Sequence, residues 1–166
     1  GMRRVGFLYD PGNAGNLRYL ELFDATCDKL HVKSIRAQVS KEADIAAAFA
    51  TLRREQAQGL VVSGNSRNYT WQNRIFEQAA KMRLPAIYNQ EDYVAAGGLM
   101  SYAANYPDLS RRAAAYADKI FKGAKPGELP IEQPIKFDLV INMKTAKALG
   151  ITIPDSVLVQ ATKVIQ

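Results

Sequence analysis

The carboxylates Asp10, Glu91, Asp92 and Asp108 each stand just past a short apolar run, which makes them the first candidates for acid–base chemistry. Each also has a plainer local role. Asp10 precedes Pro11-Gly12 and suits the head of a turn. Glu91 and Asp92 fall in a first helical turn, where the helix dipole favours acids. Asp108 follows Pro107 and reads as a helix cap. Nucleophilic chemistry has little to work with, because Cys27 and His31 are the only cysteine and histidine and no third group stands nearby to orient them. A lone cysteine in a helical pattern reads as a small buried apolar residue. It permits neither an intramolecular disulfide nor a cysteine-based metal site. Metal-ligand spacing is absent. The expectation is therefore a protein without catalytic residues, metal or cofactor.

The turn Gly12-Asn13-Ala14-Gly15-Asn16 contains neither GxGxxG nor a Walker lysine. Two readings of it stand: a plain tight turn, or a helix N-terminus that binds an anion such as a carboxylate. The aromatic residues Tyr9, Tyr69, Trp71, Tyr88, Tyr102 and Tyr106 cluster at or just beyond strand ends. Tyr9 and Trp71 read as core, and Tyr88 and Tyr102 as candidates for ligand contact.

The elements that must position these groups follow from hydrophobic period. Continuous apolar runs at 4–9, 60–62, 84–88, 99–102 and 137–141 read as strands, with a weaker strand at 32–39. Between them come helical spacings. Leu17, Leu20, Phe23, Cys27 and Leu30 form one face, with Asn16 as its N-cap. Ile45, Ala48, Phe49 and Leu52 form a second, and Trp71, Ile75, Ala79 and Met82 a third. A short helix over 91–96 closes at Gly97-Gly98. A longer one begins at Asp108, with Leu109, Ala113, Tyr116 and Ile120 on its inner face. Pro126, Pro130 and Pro134 make an extended connector, and a last helix over 144–149 precedes an irregular tail.

Such alternation predicts an α/β fold with a doubly wound, mostly parallel sheet and helices on both faces. Ligands of these sheets lie beyond the carboxyl ends of the strands. The loops 10–16, 63–69, 88–92 and 102–108 are the ones that matter. Their Asn, Tyr, Gly and Ser content suits a small polar or zwitterionic molecule with aromatic contact.

The 166 residues carry 48% hydrophobic and 23% charged side chains, which excludes disordered, collagenous and disulfide-scaffold classes. The formal charge of +6 is spread along the chain with acids between the bases, so no nucleic-acid partner is expected. No run approaches the length needed to cross a bilayer, and no signal peptide opens the chain. Gly1 ahead of Met2 reads as a remnant of tag removal.

The sequence resembles one family over essentially its whole length, and the residues that carry the resemblance begin at Leu84. The carrying residues are Leu84-Pro85-Ala86-Ile87-Tyr88 and Glu91-Asp92-Tyr93-Val94-Ala95-Ala96-Gly97-Gly98-Leu99-Met100-Ser101-Tyr102. The resemblance continues through Pro107-Asp108-Leu109, Lys119 to Pro126, Leu129 to Pro134 and Leu139 to Gly150. It is to ABC-transporter substrate-binding proteins of the tryptophan/tyrosine-binding type, which have a type I periplasmic-binding fold of two lobes with a ligand cleft between them.

The resemblance implies that this chain is the C-terminal half of such a protein. Residues 1–102 would form the core of its lobe, and residues 103–166 a crossover helix, strand and tail that pack on the other lobe. The face of the helix, and the strand at 137–141, would then either refold onto the chain's own sheet or pair with a second copy as a homodimer. The implied function is binding of a small, amino-acid-like solute for an ABC importer, with an ABC permease as partner and a periplasmic or extracytoplasmic location. The implied ligand-binding residues are Asp10, Asn13, Ser63, Asn65, Arg67, Tyr88, Asn89, Glu91, Ser101 and Tyr102. The 63–68 loop is more polar than the family pattern. Its Arg67 is either a bidentate partner for a ligand carboxylate or a solvated loop arginine. Glu91 or Asp92 would neutralise a ligand amino group. Two alternatives remain open: a ligand-sensing regulatory domain of the same fold, and a flavodoxin-like enzyme.

Overall fold

The computed structural model describes residues 1–166. Its strands are β1 (Arg4–Tyr9), β2 (Lys33–Gln38), β3 (Gly59–Val62), β4 (Ala86–Tyr88), β5 (Met100–Ala104), β6 (Phe137–Asn142) and β7 (Lys163–Ile165). Its helices are α1 (Ala14–Lys29), α2 (Asp44–Arg54), α3 (Ser66–Thr70), α4 (Gln72–Lys81), α5 (Glu91–Ala95), α6 (Tyr106–Phe121), α7 (Met143–Leu149) and α8 (Asp155–Leu158). The strands form one seven-stranded sheet in the order β2-β1-β3-β4-β5-β6-β7. All pairings are parallel except β5 with β6. The strand order reverses beside β1, so its carboxyl end and that of β3 flank a topological switch point.

The apolar runs become strands because both their faces are covered. On one face Leu8, Ile35, Leu60, Val62, Ala86 and Tyr88 pack under α2 and α4, with Ile45, Phe49, Leu52 and Ile75 as the helical contribution. On the other, Phe7 and Tyr9 meet Leu20 and Phe23 of α1. A third cluster joins Leu99 and Ile141 to Ala146, Leu149 and Ile153 beneath α7 and α8. No helix is long and apolar enough to cross a membrane.

The structure differs from the sequence reading in several places. Asn13, not Asn16, caps α1: its side chain accepts from the Asn16 amide at 3.0 Å. Helix α1 buries only a narrow stripe, leaving Leu17 and Leu30 exposed. Asn105 rather than Asp108 caps α6. The tail is not irregular, since α8 and β7 complete the sheet's far edge. His31 ends α1 in a left-handed conformation (φ 53°), which is its structural role.

The segment after residue 102 divides. Strands β6 and β7 and helix α7 continue the same sheet as β1–β5. Helix α6 does not fold back onto it, and Asp108 is its only buried residue. Instead α6 carries the following segment strapped to its side. Tyr116 Oη donates to the Pro130 carbonyl at 2.6 Å, and Arg112 pairs with the Glu132 carboxylate. Phe121 and Ile131 at the end of this arm are 89% and 96% exposed.

Candidate functional site

The carboxyl edge of the sheet is organised around a residue that sequence reasoning took for a cap. Asn16 lies in the first turn of α1 and is buried. Its Oδ1 accepts from the Asp10 amide at 3.0 Å, Ser63 Oγ at 2.8 Å and Asn65 Nδ2 at 3.0 Å. Its Nδ2 donates to the Gly64 carbonyl at 3.2 Å. One side chain thus fastens the loop after β1 to the loop after β3. The spacing Asn13-x-x-Asn16 was the only available signal, and either residue suits a cap.

This knot brings Asp10, Asn13, Ser63 and Asn65 together, as the sequence reading expected, but it commits their polar groups to one another. Asn13 caps α1. Asn65 caps α3, accepting from the Asn68 amide at 2.6 Å. Asn68, fully buried, donates to the Ser63 carbonyl at 2.9 Å. Most of these polar groups satisfy each other, though Asn68 Oδ1 is buried and receives no hydrogen bond within the protein.

Arg67 is not a loop residue but part of α3. Its Nη1 donates to Asp10 Oδ2 at 2.9 Å and to the Ser40 carbonyl at 3.1 Å. Asp10 is buried, and its other carboxylate oxygen accepts from the Gly12 amide at 2.9 Å. The guanidinium itself is half exposed, so its remaining N–H groups face solvent at the edge of the sheet.

Beside this knot lies a cavity of about 510 Å³ between the loops after β3 and β4, lined by Asn65, Tyr69, Asn89, Gln90 and Tyr93. Gly64 lets the Asn89 side chain lie against its backbone, since a Cβ there would stand 2.2 Å from Asn89 Nδ2. The Asn89 Oδ1 atom is buried and receives no hydrogen bond within the protein. Tyr69 and Tyr93 meet edge to face at 5.4 Å, giving the cavity an aromatic wall. Burial pushes the Tyr93 phenol up to about 12, with the neighbouring Tyr69 adding to the effect. Tyr93 is therefore neutral across the physiological range.

A smaller cavity of about 280 Å³ follows along the same edge, lined by Glu91, Asp92, Ser101, Tyr106 and Asp138. Glu91 is ion-paired with Lys163 of β7. Asp108 is held by Lys136 Nζ at 2.8 Å and Arg111 at 3.3 Å, and these partners lower its pKa, the Lys136 hydrogen bond most.

The two aromatic residues expected to contact ligand lie elsewhere. Tyr88 shares a parity with Ala86, so strand alternation turns both under α4. It stacks on Tyr93 at 5.0 Å and is 3% exposed. Tyr102 alternates with the buried Ser101, so it projects from the opposite face and stacks on Phe137 at 5.6 Å.

The arrangement has parts that can hold a small polar molecule. It offers a cation, an unpartnered amide oxygen and aromatic walls. The Cys27 thiol is raised by burial, with nearby Asp24 and Asp28 adding to the rise, so it stays protonated.

Comparison with known proteins agrees. The family model described as ABC transporter substrate binding protein matches residues 1–165. No curated protein sequence matches. Among solved structures, a conserved domain protein from Vibrio cholerae O1 biovar El Tor is 27% identical, with a TM-score of 0.86 over 99% of this chain and 55% of that one. An ABC domain in complex with L-Trp from Streptococcus pneumoniae is 26% identical, with a TM-score of 0.84 and the same coverage. A ligand-free, open substrate-binding protein from Clostridium difficile is 18% identical with a TM-score of 0.80, a likeness of fold alone. The chain spans 55% of the length of each of these structures.

Proposed function

The chain belongs to the ABC transporter substrate-binding protein family, and from that premise we propose that it is the C-terminal lobe of a receptor that captures an amino-acid-like solute for an ABC importer. The observation that carries this reading is the orphan Asn89 Oδ1, buried at an aromatic cavity on the carboxyl edge of the sheet. A buried acceptor without a donor is costly unless something supplies one, and an ammonium or ring N–H does so. Tyr69 offers its ring to an apolar side chain at the same place. Arg67, oriented by Asp10, presents its free N–H groups to a carboxylate. The similar L-Trp-bound structure is consistent with that ligand class. A solute receptor of this kind works outside the cytoplasm, against a permease.

The exposed arm of α6 supports a further part of the reading. Phe121, Ile131 and Ile135 stand in solvent together with the apolar side of the strap. Several uncovered side chains of this size are unfavourable, at roughly 1.5–3 kcal/mol each. In this chain on its own, that face is closed by a second copy, as a homodimer.

A thermal-shift screen against the free amino acids and small carboxylates tests the binding role. A ligand in hundredfold excess over its dissociation constant adds about 2.7 kcal/mol of stability. A concentration-dependent rise with one class of amino acid supports the reading. A flat response from every amino acid and carboxylate overturns it.

A further inference from the structure

On the face of the sheet under α4, that helix and α7 stand apart and leave a groove of about 570 Å³ over β4 and the start of β5. It shares no lining residue with the cavity at the carboxyl edge. Phe76 and Ala80 of α4 form one wall, Ala148 and Leu149 of α7 the other, and Ala86, Tyr88 and Leu99 the floor. Its volume lies within the range of small-molecule sites.

Gly97 and Gly98 lie along the groove: Gly97 adopts φ +117°, and a Cβ on Gly98 would lie 2.8 Å from the Tyr93 carbonyl and 2.9 Å from the Tyr88 ring, so the chain can pack closely there only as glycine. Tyr88 is 3% exposed and lines the groove floor, so a phenol borders an otherwise apolar slot.

The charge at the mouth says which kind of ligand fits. Lys144 lines the groove in the first turn of α7, a turn that holds no acid. A cation there opposes the helix dipole, so local helix energetics do not explain it. The carboxylate on the opposite wall, Glu77, is already held by Lys81 at 2.6 Å and Arg74 at 3.1 Å. The mouth is therefore net cationic above an apolar slot.

We propose that the α4–α7 groove is a second ligand site, specific for a small apolar carboxylate. Its hydrocarbon or aryl body lies between Phe76 and Leu149, and its carboxylate meets Lys144. This assignment does not depend on the edge cavity binding an amino acid.

Octanoate is a suitable probe, with octylammonium and octanol as charge controls in isothermal titration calorimetry. The expected result is saturable one-to-one binding of octanoate alone. Lys144→Glu, a surface change, weakens it by about tenfold or more. Ala80→Trp, at an exposed helical position, fills the slot and abolishes binding while leaving the circular dichroism unchanged. Three results would overturn the proposal: no saturable heat with octanoate, equal binding of octanol or octylammonium, or octanoate binding that survives Ala80→Trp. A concentration-dependent association of the protein that Ala80→Trp abolishes would assign the groove to a second copy, and that also overturns it.

Discussion

Arg67 Nη1 lies 2.9 Å from Asp10 Oδ2, an ion pair between residues 57 apart in sequence that ties the end of β1 to the start of α3. The carboxylate is buried and the guanidinium half exposed, so the acid serves to aim the base. Removing the arginine leaves the buried Asp10 carboxylate with the Gly12 amide and no cation, which costs more than losing a surface pair. Arg67→Ala should therefore melt measurably below the parent. It should also lose the thermal shift produced by carboxylate-bearing ligands, while amine-only analogues keep theirs.

Asn16 carries an expectation of its own. Its amide joins Asp10 and Ser63 in buried contacts and Gly64 and Asn65 in partly buried ones. Truncation to Ala orphans donors on both loops, at about 1–3 kcal/mol for each group left unsatisfied. Urea denaturation of Asn16→Ala should show a loss of about 3 kcal/mol or more with an unchanged m-value. A loss below about 1 kcal/mol would mean that water replaces the knot.

These two pairings show where the sequence was legible and where it was not. The strands at 4–9 and 60–62 and the inner face of α2 could be read directly, because buried strands need continuous apolar runs and one helix face needs a 3–4 spacing. The edge loops were located by topology alone. What could not be read was partner choice: Asn13 and Asn16 are equal as caps until Ser63 and Asn65 arrive from 47 and 49 residues away. Tyr88 was readable in principle, since it alternates in phase with the buried Ala86. The last strand, Lys163–Ile165, is too short to announce itself without its partner β6.

Asp108 makes stability depend on acid. Lys136 and Arg111 hold its pKa below the ordinary carboxylate value, so the unfolded chain binds the proton more readily than the folded one. Its contribution is present above the unfolded pKa of about 4 and is lost as pH falls through the lower folded value. Asp108→Asn should melt below the parent at pH 7. The gap should narrow below about pH 4, and a gap that persists there would contradict the pairing.

The α6 arm gives a concentration test. Light scattering on the eluting protein should report a dimer at tens of micromolar. Phe121→Lys combined with Ile131→Lys, both at solvent-facing positions, should give a monomer with unchanged circular dichroism. A monomeric parent would remove the self-association from the account.

The most direct test of the central claim is a backbone-amide NMR titration of this chain with L-tryptophan, L-tyrosine and the other free amino acids. A binding lobe gives saturable shifts with at least one of them, concentrated at residues 63–70 and 89–93 around Asn89 and lost in Asn89→Leu. Shifts that never saturate, or that map away from the carboxyl edge of the sheet, would contradict that claim.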